Sequence, residues 1–84
     1  MYRVEWLPTA EQRLAAIWNK AADRALVAAA ADELDAALAR NPTILGESRD
    51  ENARIAFLKP LAVIFDVDEK LRRVRVWDIW RWPG

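Results

Sequence analysis

Arg49, Arg54, Lys59 and Arg81 are the side chains in this sequence best suited to chemistry. Cations drawn from neighbouring strands and an approaching loop can hold a nucleic-acid backbone and stabilise the negative charge that develops on phosphorus during phosphodiester cleavage. Arg73 and Arg75 extend the set. From Lys70 to Arg81 there are five cations (Lys70, Arg72, Arg73, Arg75, Arg81) against one anion, Asp78, a local balance of +4 on a chain whose net charge is zero. Long cations on strands more commonly solvate an exposed face and blunt edge strands, and that reading stands beside the first.

Trp77, Trp80 and Trp82 are the second candidate set. Core packing is their commonest use, docking of a partner's helix or strand comes next, and base stacking, worth about 1–3 kcal/mol per base, is the third. Asp32, Glu33 and Asp35 fall within one helical turn, while Asp66, Asp68 and Glu69 fall around a turn. Neither group has calcium-loop spacing, and both read as solvated charge. Ser48 has no candidate base near it in sequence and reads as a loop residue.

Three consecutive strands must position these residues. Ile55 and Phe57 alternate with Arg54 and Ala56; Leu61, Val63, Phe65 and Val67 alternate with Ala62, Ile64 and Asp66; Val74 and Val76 alternate with Arg73 and Arg75. One turn is expected at Lys59-Pro60, because proline fixes φ and has no N–H for a ladder. The other is expected at Asp68-Glu69-Lys70-Leu71, built on a type I turn. Turns this short force antiparallel pairing. After Val76 the apolar phase moves to the odd positions Trp77 and Ile79. A β-bulge near Val76-Trp77-Asp78 would explain this, as would burial of both strand faces; the second is preferred, since helices can cover one face and tryptophans the other.

Upstream, Tyr2, Val4 and Trp6 alternate with Arg3 and Glu5, so residues 2–7 read as a half-buried strand ended by Pro8. Thr9-Ala10-Glu11-Gln12 matches a capping box, with Thr9 as N-cap. Leu14, Ile17, Trp18 and Ala21 then share one helical face. A break near Ala21-Ala22-Asp23 starts a second helix, with Asp23 as N-cap, and Asn41-Pro42 stops it after Arg40. Its inner face is Leu26 or Val27, Ala30, Leu34, Ala37 or Leu38, and Asn41. Its alanines favour helix and permit close approach. Residues 43–52 read as a polar connection. The expected architecture is a single α+β domain over residues 1–84, in the order β-α-α-β-β-β. A four-stranded antiparallel sheet carries a helical hairpin packed on one face, with the other face open.

Composition narrows the function classes. A chain of 84 residues buries roughly 60–65% of its extended surface, so a partner chain would help to stabilise it. There is no cysteine, hence no disulfide framework and no thiolate metal site, which fits a reducing cytoplasm. There is no histidine, which removes the usual general base near neutral pH and the commonest metal ligand; serine-hydrolase triads, zinc hydrolases and histidine-dependent nucleases are excluded in familiar form. Zero net charge argues against bulk attraction to nucleic acid or anionic lipid. No apolar run approaches the roughly 20 residues of a membrane span, and MYRVEWLP lacks a signal-peptide core. No cofactor, metal or membrane partner is expected.

The strand YRVEW, a helical pair with spaced Leu and Ala, then R-I-x-F, a turn, x-V-I-F-x-V and a final V-x-V-x-x-I-W-R together resemble the RelE/ParE superfamily of small toxins from type II toxin-antitoxin modules, also described as plasmid-stabilisation systems. The resemblance spans residues 2–82 and rests on loose motifs. It implies a four-stranded antiparallel sheet behind two helices, a cognate antitoxin protein as partner, and growth inhibition in the cytoplasm. In RelE-like members it further implies a ribosome-dependent endoribonuclease, an mRNA interferase. There a 2′-OH attacks the adjacent phosphate, and basic side chains stand in for absent histidines. On that resemblance Arg54, Arg81 and Lys59 would be catalytic, and Arg49, Arg73, Arg75 and Trp80 would contact the RNA. Ala62 stands where many members have a second arginine, Trp80 where many have histidine, and the C-terminal tyrosine of active nucleases has no counterpart. Two alternatives therefore remain: a ParE-like toxin acting on DNA gyrase without cleavage, and an inactive toxin fold that only binds antitoxin.

Overall fold

In the computed structural model, which describes residues 1–43, 47–48 and 53–83, the chain runs β1 (Arg3–Trp6), α1 (Pro8–Lys20), α2 (Arg24–Arg40), β2 (Glu47–Ser48), β3 (Ala53–Leu58), β4 (Leu61–Asp68) and β5 (Arg73–Arg81). This is the expected β-α-α-β-β-β order, with one short strand added. Part of the connection read as loop, Glu47–Ser48, pairs with Ile55 and Arg54, so Ser48 lies in a strand. The sheet order is β1-β5-β4-β3-β2.

Pairing is antiparallel from β2 to β5, but β1 runs parallel to β5, with Val4 beside Val74 and Trp6 beside Val76. The wholly antiparallel expectation is corrected at this edge, and the reason is connectivity. Short turns dictate direction within the meander, whereas β1 reaches its neighbour only through the helices and the rest of the sheet. Its direction is set by packing, which places Val4 and Trp6 against the core.

That core lies between the helical hairpin and one sheet face. Ala10 from α1, and Val27, Ala30, Ala31, Leu34 and Leu38 from α2, meet Ala56, Leu61, Val63, Phe65, Val74, Val76 and Ile79. Small residues at 30 and 31 let α2 approach closely. Val27 and Leu38 take the inward positions, while Leu26 is exposed.

Helix α1 begins earlier than the capping-box reading. Leu7 is the N-cap and Pro8 occupies the first turn, and no side chain caps the helix, so Thr9 is already inside it. Proline suits that position because its missing N–H would have no intrahelical acceptor there. Asp23 is the N-cap residue of α2, as expected, but its side chain makes no capping bond.

The β3–β4 turn is Lys59-Pro60, with Leu58 opposite Leu61. The second loop is one residue later than expected, Glu69 to Arg72, because Asp68 still pairs with Arg73. Asp68 Oδ1 accepts from the Leu71 N–H at 3.0 Å, and Arg72 closes the loop at φ 53°, a left-handed conformation that favours glycine.

The phase change in β5 is a bulge, and the preferred two-sided reading is corrected. Phe65 pairs with Val76 and Ile64 with Asp78, so Trp77 has no partner on β4. The inserted residue resets the alternation, returning Ile79 to the helix side.

Leu34→Ala should therefore destabilise the protein by about 2–5 kcal/mol in urea unfolding followed by tryptophan fluorescence, since Leu34 is only 2% exposed. Leu26→Ala, at a position 54% exposed, should stay within about 0.5 kcal/mol of the parent.

Candidate functional site

The sheet face away from the helices is built in rows. Glu5, Arg75, Asp66 and Ala53 form one, Ile64 and Ile55 the next, and Trp80, Ala62 and Phe57 a third. Asp66 anchors the first. It is 5% exposed, and it accepts from Arg75 Nε at 3.2 Å and from Trp77 Nε1, while Arg75 Nη2 lies 3.1 Å from its second oxygen. The hydrogen bond to Asp66 raises the Arg75 guanidinium above its ordinary value, with the Asp66 charge adding to it. The bulge presents Trp77 to this carboxylate. Its neighbour Asp78 reaches Arg13 of α1 at 3.1 Å, tying the bulge to the helix layer.

Arg54 and Arg81 do not gather on this face. Arg54 is opposite Phe65 and Arg81 opposite Leu61, both core residues, so both arginines project from the helix side. Their partner positions lie four residues apart on β4, about 13 Å at roughly 3.3 Å per residue. Arg81 forks onto Asp23, Nη1 to Oδ1 at 3.0 Å and Nη2 to Oδ2 at 3.1 Å. The pair lines a cavity of about 920 Å³ with Thr9, Gln12, Arg13 and Ile17. The Arg81 hydrogen bond holds the Asp23 carboxyl below its ordinary value, and the same bond raises Arg81.

Lys59 sits at the β3–β4 turn, its Nζ 5.9 Å from the centre of the Trp82 ring, and Trp82 packs on Phe57 with centroids 4.7 Å apart. Trp80 shares the face and row of Phe57. Arg73 lies beside Arg3 at the opposite end of the sheet. Arg49 lies outside the described residues. The structure thus brings Lys59 and Trp80 to one aromatic edge and joins Arg75 to Asp66, but it leaves Arg54, Arg73 and Arg81 at three separate places.

A third surface lies between the helices. Trp6, Leu14, Ala15, Trp18, Val27, Ala28 and Ala31 line a groove of about 540 Å³ whose polar residues include Glu11, Asp32 and Asp35. Asp35 Oδ1 accepts from Trp6 Nε1 at 2.9 Å, and the Arg24 guanidinium stacks over Trp18 at 4.8 Å. Among the described residues no group of three histidine, cysteine, aspartate or glutamate side chains could hold a metal ion. No helix there is long and apolar enough to cross a membrane.

No protein-family model and no curated protein matches the chain. Solved structures do match. A chain of the toxin-antitoxin complex RelBE2 from Mycobacterium tuberculosis superposes with a TM-score of 0.79 at 19% identity, over 99% of this chain and 93% of that one. A chain of the chromosomal ParDE toxin-antitoxin system from P. aeruginosa gives 0.75 at 19% identity, over 96% of each. The isolated RelE toxin from E. coli gives 0.67 at 13% identity, over 96% of this chain and 84% of that one. This chain has the RelE/ParE toxin fold.

Within that fold Ala62 has a structural reason. It is 0% exposed and sits in the row between Phe57 and Trp80, a small residue packed beside two large ones. Two residues escaped the sequence reading. Asp66 was expected to be solvated but is buried; its even position within β4 was the available signal, since it shares a face with Arg75. Asp23 was expected only as a cap, and no local pattern pairs it with Arg81, 58 positions away.

Replacing Trp77 with Phe keeps the ring but removes the donor to Asp66, and should lower stability by about 1.5–3 kcal/mol in chemical unfolding. Asp23 binds its proton more weakly when folded than its ordinary value of 3.8 implies. Its contribution to stability is therefore complete above that value and lost as pH falls through the folded one. Melting temperature should drop less between pH 6 and acid in Asp23→Asn than in the parent. The difference should shrink at high salt, because the pair is exposed.

Proposed function

We propose that this chain is the toxin of a toxin-antitoxin pair, a cytoplasmic growth inhibitor held silent by a cognate antitoxin protein. The observation carrying this reading is the end-to-end likeness to chains of RelBE2 and ParDE, both from toxin-antitoxin systems, and to isolated RelE. The α1–α2 groove supplies a place for the partner. Leu14, Trp18, Ala28 and Ala31 offer apolar surface, while Glu11, Asp32 and Asp35 surround it with negative charge. Such a groove suits an apolar antitoxin segment flanked by lysine or arginine.

Two targets follow from the resemblance: mRNA on the ribosome, cleaved at a phosphodiester, or DNA gyrase, inhibited without cleavage. The geometry favours the second. Cleavage asks Arg54, Lys59 and Arg81 to converge on one phosphate, yet the positions opposite Arg54 and Arg81 lie four residues apart on β4 and Arg81 is held by Asp23. The chain also lacks histidine to carry a proton near neutral pH. One observation supports mRNA cleavage: Arg54 and Arg81 project from the same side of the sheet.

Induced expression of the chain should arrest growth, and co-expression of the adjacent gene's product should relieve the arrest. Primer extension should find intact transcripts while the DNA-damage response rises and purified protein blocks gyrase supercoiling. Cuts at ribosomal A-site codons would instead establish the nuclease, and unimpaired growth would leave an inactive antitoxin-binding fold. Ala28→Arg, at an exposed groove position, should weaken the antitoxin complex by about tenfold or more. Its stability should change by less than about 0.5 kcal/mol.

A further inference from the structure

Three arginines line one recess at the end of the sheet far from Lys59. Arg3 and Arg73 are direct neighbours on the parallel strands β1 and β5. Arg72 precedes Arg73 in the loop, and its carbonyl accepts from the Arg3 N–H at 2.8 Å. Together with Met1 and Leu71 they line a recess of about 400 Å³. Like charges set directly opposite on neighbouring strands repel. None of the ion pairs among the described residues neutralises these three. Asp68 faces Arg73 in register and offsets part of this charge, although no ion pair joins them and its Oδ1 accepts from the Leu71 N–H. Glu5, one row away, acts on Arg75.

Two further observations concern the arginines that line this recess. Arg73 Nε is buried without a hydrogen-bond partner, a condition that native structures seldom tolerate unless a ligand or water completes it. Arg72 stands in the left-handed region at φ 53°, with its guanidinium 5.4 Å from the Tyr2 ring centre. A non-glycine residue held there is the kind of local backbone cost that clusters at ligand clamps.

We propose that this recess binds a phosphate group. An added anion answers the excess positive charge and the orphaned Nε together. A planar carboxylate serves one guanidinium fork well, whereas a tetrahedral phosphate presents acceptor oxygens in several directions and can serve arginines that line the recess from β1, the loop and β5. The same chemistry belongs to free phosphate and to a nucleic-acid backbone. The site stands whichever target the toxin meets.

The test follows the Arg73 Nε–H resonance of the full ¹⁵N-labelled chain, identified by its loss in Arg73→Lys. Inorganic phosphate, a single-stranded RNA oligonucleotide and a polyglutamate peptide are titrated in turn, against sodium chloride at matched ionic strength. Phosphate should shift the resonance saturably where chloride does not. Arg3→Gln and Arg72→Gly should each weaken the apparent affinity by about tenfold or more. Arg72→Gly introduces the residue that this φ favours, so its amide spectrum should show an intact fold. An RNA response at lower concentration than phosphate assigns the nucleic-acid backbone as source, and a response to phosphate alone assigns the free anion; both uphold the site. A resonance unmoved by phosphate and RNA, a stronger response to polyglutamate, or unchanged affinity in Arg72→Gly would overturn it.

Discussion

The extra residue at Trp77 sets the phase of the last strand, and most of the arrangement depends on it. Without it, strict alternation after Val76 would turn Ile79 away from the helices and Trp80 toward them. The bulge is held from both sides of the sheet. Asp66 receives the Trp77 indole N–H on one face, and Asp78 reaches Arg13 of α1 at the other layer. A buried carboxylate is costly unless its oxygens are met, so the same contacts that satisfy Asp66 keep the bulge in register.

From that phase follows the distribution of the cations. Arg75 falls on the open face and is joined to Asp66, whereas Arg81, two residues past Ile79, falls on the helix side and finds Asp23 at the start of α2. An aspartate that would otherwise cap the helix instead links the helical turn to the end of the sheet. The open face is consequently organised by aromatic and apolar rows at one end, with Phe57, Trp80 and Trp82. At the other end it carries two charged rows, Glu5-Arg75-Asp66 and Arg3-Arg73-Asp68, and among the described residues only the first contains an ion pair. A chain of zero net charge thus presents locally distinct surfaces, each suited to a different partner chemistry.

The likeness to RelBE, ParDE and RelE chains extends over nearly all of the sequence at 13–19% identity. What persists at that identity is the fold, which many side-chain sets can satisfy. One scaffold of this kind carries several activities, so function rests on the placement of particular groups.

Alternation in β1 and the meander, the Lys59-Pro60 turn, the second helix from Arg24 to Arg40 and the order of elements were legible in the sequence, because each arises from local periodicity or backbone chemistry. The missing histidines and cysteines were equally legible and bounded the chemistry. The parallel β1–β5 pair, the choice of bulge over two-sided burial, the burial of Asp66, and the Asp23–Arg81 fork were decided only by tertiary structure. Each joins residues far apart in the chain. The energy that selects such contacts comes from desolvation and packing between elements, to which no short window of sequence gives access.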